Sequence, residues 1–187
     1  MMRYTNRVLI AFGAAALTAC SGAGTSRGAS LAGDSTVSTA PGSAATESAT
    51  VARDTAAVRR ATAGFHALEA AVAAGYPRSV ANCLSQPTLG GMGYHHMDRT
   101  LLDDRLEVER PEILLYSRTR DGEYVFNGVE YIVPYSARSR DATPPTVMGQ
   151  ALKRSDALEL WYLHAWVWTP NPAGLFADWN PRVVCRS

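Results

Sequence analysis

The sequence predicts a single α+β domain in which one long N-terminal helix packs on a small, mainly antiparallel sheet. Apolar residues recur at helical spacing over residues 50–74, which indicates an amphipathic helix. Segments rich in β-branched and aromatic residues predict strands at 112–118, 123–133 and 160–168. The pair Asp121-Gly122 separates the first two segments, as is typical of a β-hairpin. We therefore expect residues 50–187 to form one folded domain.

The first twenty residues predict a lipoprotein signal peptide. Two arginines precede an apolar stretch over residues 8–17, which is too short to span a bilayer and is typical of a secretory signal. The stretch leads into Leu-Thr-Ala-Cys at positions 17–20, and this tetrad resembles the bacterial lipobox. The resemblance implies that residues 1–19 are removed and that Cys20 carries lipid, which would hold the protein to a membrane. A plain secretory signal with a chance cysteine is the alternative.

Residues 20–49 consist mostly of Ser, Gly, Ala and Thr and predict a disordered tether. Loss of residues 1–19 removes Arg3 and Arg7 from the 18 basic residues, which leaves 16 against 17 acidic ones. This balance argues against a nucleic-acid partner. The lack of a second long apolar run in the sequence argues against a transmembrane helix. We expect a lipid-anchored, extracytoplasmic protein of the cell envelope, on the periplasmic or cell-surface face.

Cys83 and Cys185 remain as a pair once Cys20 is assigned to lipid. An even number of cysteines in an oxidising compartment favours a disulfide. That disulfide would close a loop of about 100 residues and contribute up to ~4–5 kcal/mol in the chain-entropy model. A thiolate metal site is the alternative, but no C-x-x-C spacing supports it.

The predicted helix 50–74 presents one apolar stripe. Its members are Val51, Val58, Ala61, Phe65, Leu68 and Val72. Gly75 supplies a C-terminal cap, and Pro77 blocks continuation of the helix. His66 lies beside this stripe, so we expect it on the helix surface.

The segments that connect the predicted helix and strands have less regular sequence patterns. Three glycines within residues 90–93 indicate a loop whose backbone turns sharply or closely approaches another group. A short helical turn is expected at 98–104. Residues 135–157 predict a long loop, with a short helix near 150–157. Such a long loop often forms a lid or the wall of a site.

The second and the last of the predicted strands each have a distinctive sequence pattern. Asn127-Gly128 interrupts the second strand, and we interpret this pair as a bulge rather than a second turn. The last strand is apolar on both faces, which predicts a central position in the sheet. By alternation, one of its faces carries four large side chains: Tyr162, His164, Trp166 and Trp168.

Polar residues in apolar surroundings identify a candidate metal site. His164 lies in the middle of an aromatic strand face, and Glu130 lies between apolar neighbours of another strand. A buried carboxylate needs a partner. With His95 or His96 from the glycine-rich segment, these residues would offer imidazole and carboxylate ligands suited to zinc, iron or copper. Two thioethers could add to this set and would favour copper: those of Met92 and Met97.

Three other functions stay open. The aromatic face could bind a sugar or another small organic ligand through Tyr162, Trp166 and Trp168. A bound metal with Glu130 as base would make a hydrolase. A structural envelope protein would use Glu130 and His164 as one buried hydrogen-bonded pair. We expect binding rather than catalysis, because no nucleotide loop, G-x-S-x-G elbow or H-E-x-x-H motif is present in the sequence.

Three motifs over about residues 60–185 resemble a family of uncharacterised bacterial secreted proteins and lipoproteins. They are Gly90-Gly91-Met92-Gly93-Tyr94-His95, Gly128-Val129-Glu130-Tyr131, and His164-Ala165-Trp166-Val167-Trp168 with Asn171-Pro172-Ala173-Gly174-Leu175-Phe176. The resemblance implies an extracytoplasmic location and no particular activity. It also implies that Glu130 and the histidines belong to family motifs.

Overall fold

The computed structural model describes residues 41–77 and 79–185, with the side chains from residue 45 onward. The predicted signal peptide and Cys20 lie outside these residues. Helix α1 spans Pro41–Thr62 and so begins nine residues before the predicted start at 50. The predicted tether is therefore wrong for residues 41–49, and its remaining part lies outside the described chain. Local and long-range features favour helix in residues 41–49. The segment is rich in Ala, and proline is tolerated in a first helical turn. In addition, Gln150 Nε2 donates a hydrogen bond to Glu47 Oε1 at 3.1 Å.

The predicted single helix is interrupted. A 3-10 turn at Ala63–His66 follows α1, and a short helix α2 spans Leu68–Ala73. Ala67, between the two, is extended, with φ −84° and ψ 113°. The interruption rotates the second segment, so that Val72 is 48% exposed and Ala71 is buried in its place.

Gly75 ends α2 as predicted. Its φ is +108°, the left-handed region that favours glycine. The amide of Tyr76 donates to Ala71 O and the amide of Gly75 to Val72 O, which is the Schellman arrangement.

The fold is α+β with a curled antiparallel sheet, as the sequence predicts. The strands are β1 Leu84–Gln86, β2 Gly90–Met97, β3 Ile113–Arg118, β4 Tyr124–Pro134, β5 Thr146–Val147, β6 Gln150–Ala151, β7 Lys153–Ser155 and β8 Leu160–Ala165. Six of them form one sheet in the order β1-β2-β3-β4-β8-β7, and β5 pairs with β6 alone. β8 therefore lies inside the sheet, and a 3-10 turn at Arg99–Leu101 matches the expected helical turn.

The glycine-rich segment is a strand, so the expectation of a loop is wrong. Its expected close approach to another group is confirmed. A Cβ on Gly90 would lie 2.2 Å from Asn180 O, and one on Gly93 would lie 2.3 Å from Tyr116 O. Both glycines have positive φ. Here glycine lets backbones touch within a sheet, which a local sequence pattern does not distinguish from a turn.

The central hairpin follows the prediction. β3 and β4 pair antiparallel around the turn that contains Gly122. Leu115 pairs with Gly128 and Tyr116 with Phe126, which leaves Asn127 as the extra residue of a bulge. The helix expected near residues 150–157 is wrong. Met148 and Gly149 both have positive φ, at 53° and 72°, so they form a tight turn between β5 and β6.

The sheet has two covered faces. The helices lie on one of them, where Val58 and Ala71 belong to the same buried cluster as Tyr116. On the other face, a second buried cluster consists of Ile113, Leu115, Ile132, Trp166 and Val183. The segment that follows β8 contributes the last two of these residues. The second face is therefore covered by the C-terminal part of the chain.

A disulfide joins Cys83 to Cys185, as predicted, with their Cα atoms 5.5 Å apart. It ties the end of the C-terminal segment to the residue before β1. None of the helices in the described part of the chain has the length and apolar character needed to cross a membrane.

Candidate metal centre

Three strands bring His95, Glu130 and His164 together on the second face of the sheet. Glu130 of β4 pairs directly with His164 of β8. His95 lies on β2, opposite Leu115 of β3, and its side chain reaches across β3 towards Glu130. Side-chain alternation places all three on the face that carries Leu115 and not on the helix face. The sheet order is therefore what assembles this group.

The distances in this group fit a metal ion. His95 Nε2 lies 3.5 Å from Glu130 Oε2, and His164 Nε2 lies 3.7 Å from Glu130 Oε1. One ligand atom from each of the three residues lies within 4.8 Å of the others. A tetrahedral zinc ion with bonds of about 2.0–2.1 Å needs ligand atoms about 3.3 Å apart. Small side-chain movements would bring all three onto one ion, so this group could hold a metal.

The group is buried, and several of its polar atoms lack a hydrogen-bond partner within the described chain. His95 is 6% exposed, Glu130 7% and His164 1%. Within the described chain, His95 Nδ1 and both ring nitrogens of His164 make no hydrogen bond. Buried polar atoms without partners are uncommon because each costs about 1–3 kcal/mol. A metal bound between the imidazoles would give some of these nitrogens a partner.

Burial also prepares His95 for a metal. Loss of solvation lowers the pKa of His95, against the smaller opposing effect of the Glu130 carboxylate. The neutral ring is thus favoured at neutral pH, and only the neutral imidazole offers a lone pair to a metal.

Asp178 lies beside His164 and is not among the residues that the sequence pointed to. Its Oδ1 is 3.8 Å from His164 Nδ1, and Lys153 Nζ donates to the same oxygen at 2.5 Å. The neighbouring His164 ring and then Lys153 lower the pKa of Asp178 to about 2, against the effect of burial, so this carboxylate is ionised at neutral pH. Asp178 lies in the irregular C-terminal segment, where no periodic pattern distinguishes it.

His96 points to the other face of the sheet. Its Nδ1 donates to Pro77 O at 2.5 Å, and its ring contacts those of Tyr116 and Tyr124 edge-on at 5.1 and 6.0 Å between centroids. The structure therefore brings His95, and not His96, to Glu130 and His164.

The two methionines occupy different positions. Met97 lies two residues after His95 on β2 and packs against the second buried cluster. Met92 is the extra residue of a bulge, because Leu84 pairs with Gly93 and Ser85 with Gly91.

The predicted aromatic face is divided between the two sides of the sheet. Trp166 is 2% exposed, and its indole donates to Ala177 O at 2.6 Å. Trp168 instead packs against the helix side, with its indole donating to Thr62 Oγ1 at 3.2 Å. The prediction of a shared face is wrong for Trp168 because β8 ends at Ala165 and alternation stops there. Tyr162 stays beside the site, with its hydroxyl 3.4 Å from Asp178 Oδ2.

No protein-family model, curated protein or solved structure matches this chain. The resemblance to a family of secreted proteins and lipoproteins stays a prediction, and what bears on function is the chemistry of the residues described above.

Proposed function

We propose that this protein binds one transition-metal ion, zinc or copper, between His95, Glu130 and His164. The observation that supports this most is that two imidazoles and a carboxylate converge within 4.8 Å in a buried site. A buried imidazole–carboxylate pair kept only for structure would be expected to close to about 2.7–3.2 Å. Here both imidazole–carboxylate distances are 3.5 Å or more, which leaves room for an ion.

The ligand types restrict the choice of metal. Two imidazole nitrogens and a glutamate oxygen are a common zinc set, and imidazole with carboxylate also suits copper(II). Copper gains from a soft thioether, and alternation along β2 puts Met97 on the same strand face as His95. Hard cations such as magnesium and calcium prefer sites built from oxygen ligands alone.

The burial of the ligands favours binding over catalysis. None of the three is more than 7% exposed. A catalytic metal needs an open coordination position that an organic substrate can reach. A closed site is instead suited to holding or delivering the ion, or to stabilising the fold.

We place this function on the outer side of a membrane, with the chain anchored through lipid on Cys20. The lipobox-like tetrad at positions 17–20 supports the anchor. The disulfide between Cys83 and Cys185 supports an oxidising compartment. Mass spectrometry of the protein isolated from membranes would test the anchor by detecting a lipidated Cys20.

The decisive experiment is metal analysis of the purified protein, followed by titration of the metal-free form with zinc and copper. We expect one ion per chain, and we expect His164→Ala and Glu130→Gln each to weaken binding at least tenfold. His66→Ala is the matched control, since His66 is an exposed helix-side histidine that contacts Trp168. A wild-type protein without affinity for either metal, or equal affinity in all four proteins, would refute the proposal.

A further inference from the structure

The ring of His164 lies between two carboxylates. Its Nε2 is 3.7 Å from Glu130 Oε1, and its Nδ1 is 3.8 Å from Asp178 Oδ1. Both contacts are longer than hydrogen bonds, and both ring nitrogens are without another partner in the described chain. The two nitrogens thus face different acidic groups, only one of which belongs to the proposed ligand set.

This placement determines which nitrogen can act as a ligand. A neutral imidazole carries one proton, so one nitrogen donates and the other offers a lone pair. If the proton is on Nδ1 and points at Asp178, the lone pair of Nε2 points towards Glu130 and His95. Metal-bound histidines commonly donate their second N–H to a carboxylate in this way, which fixes the ring and makes it a stronger ligand.

Asp178 is itself held in place. Lys153 Nζ donates to Asp178 Oδ1 at 2.5 Å and to Phe176 O at 3.1 Å, so it ties the carboxylate to its own segment. The Tyr162 hydroxyl lies 3.4 Å from the other carboxylate oxygen. The ring of Trp166 stacks parallel to His164, with 6.1 Å between centroids and 8° between planes, while its indole N–H donates to Ala177 O. The C-terminal segment is thus fixed beside the ring at Phe176, Ala177 and Asp178.

We infer that Asp178 is a positioning residue that holds His164 in the Nδ1–H tautomer and directs Nε2 at the metal. This inference rests on the proposed metal binding and adds a residue to it. Lys153 keeps the carboxylate beside the ring and balances its charge. The segment that covers the sheet therefore also determines how well the site binds.

Two measurements test this role. The first is the tautomer of His164 in the metal-free protein, read from long-range ¹H–¹⁵N NMR couplings of the ring, where we expect the proton on Nδ1. The second is the affinity for zinc, measured by competition with a chelator. Asp178→Asn should weaken zinc binding about 10–100-fold and should alter the visible spectrum of the cobalt(II)-substituted protein. Asp156→Asn is the matched control, because Asp156 is an exposed acid that pairs with Arg140 and Arg154 away from His164.

The outcomes separate this inference from the function it rests on. If wild type binds zinc and Asp178→Asn binds it equally well with an unchanged cobalt spectrum, Asp178 has no positioning role while the metal site stands. A His164 proton on Nε2 in the metal-free wild type would also overturn the inference, whether or not metal binds. A wild type that binds neither zinc nor copper would overturn both proposals. A melting temperature of Asp178→Asn close to that of wild type would show that lost affinity is not lost folding.

Discussion

Glu130 and His164 are direct partners in the register of β4 and β8, yet His164 Nε2 lies 3.7 Å from Glu130 Oε1. Side chains in such a position are close enough to make a hydrogen bond when nothing prevents it. Here Glu130 also faces His95 from the other side, at 3.5 Å. The carboxylate therefore lies between two imidazoles without closing on either, and small side-chain movements would bring all three groups to the spacing of a shared ion.

Zinc should stabilise the fold. An ion that binds only the folded state adds about 2.7 kcal/mol at a concentration one hundred times its dissociation constant. For a domain of this size we expect a rise in melting temperature of about 5–10 °C. Differential scanning calorimetry with zinc and with a chelator would measure it. His164→Ala should abolish the rise and magnesium should not produce it; a rise of equal size in either case would point to binding elsewhere.

Glu112 should make the fold less stable at alkaline pH. Burial raises the pKa of Glu112 to about 8, and the residue is 1% exposed. The folded state thus keeps a proton that the unfolded chain loses near its ordinary pKa of about 4.3. The stabilising effect of this proton is complete below the unfolded pKa of about 4.3 and is lost progressively as the pH rises to about 8.

Glu112→Gln should remove this dependence and still accept a hydrogen bond from the Ile132 amide, which Glu112 Oε2 accepts at 3.1 Å. Urea unfolding at pH 5 and pH 9 would measure the free energy of unfolding of both proteins. Relative to wild type, the variant should be more stable at pH 9 than at pH 5 by a few kcal/mol. An equal difference between the two proteins at both pH values would contradict the assignment.

The disulfide should contribute to both stability and metal affinity. Its two cysteines are 102 residues apart in sequence, and replacing both with serine should cost about 2–5 kcal/mol in the free energy of unfolding. Because Cys185 ends the segment that carries Asp178, zinc affinity should fall as well. Denaturant unfolding and zinc competition on the double variant would measure the two effects. Unchanged zinc affinity in a folded double variant would show that the segment stays in place without its covalent tie.

Gly93 should tolerate substitution less well than Gly122, although both have positive φ, at 91° and 86°. A Cβ on Gly93 would lie 2.3 Å from Tyr116 O, whereas one on Gly122 would meet nothing within 4 Å. Gly122→Ala should therefore cost only the backbone strain of about 1–2 kcal/mol. Gly93→Ala should cost clearly more and should weaken zinc binding, since His95 is two residues away. Equal losses of stability in the two variants would mean that β2 moves away from β3 without penalty.

Local signals were enough to predict much of the sheet. The Asp121-Gly122 turn, the bulge at Asn127 and the cysteine pair each depend on short-range backbone chemistry or on counting, and each is found in the structure. Glu130 and His164 could be identified because charged or polar side chains are conspicuous in apolar strands. Their convergence with His95 could only be proposed, since it depends on the strand order.

The sequence-based predictions that the structure contradicts failed because of long-range contacts. Residues 90–93 form a strand because backbone from Asn180 and Tyr116 approaches it, and neither residue is a neighbour in sequence. The change of face at Trp168 follows from the Asn127 carbonyl, which accepts hydrogen bonds from the amides of Trp168 and Thr169 at 3.0 and 2.9 Å. The importance of Asp178 likewise depends on where the C-terminal segment folds back.

The bond between Cys83 and Cys185 also determines which part of the chain is covalently circular. His95, Glu130 and His164 all lie between these two cysteines in sequence, whereas helices α1 and α2 lie before them. One cut by a protease in any loop of this ring would leave the three residues covalently connected. Two cuts would be needed to release a fragment, so we expect the proposed metal site to survive a single cut until the disulfide is reduced.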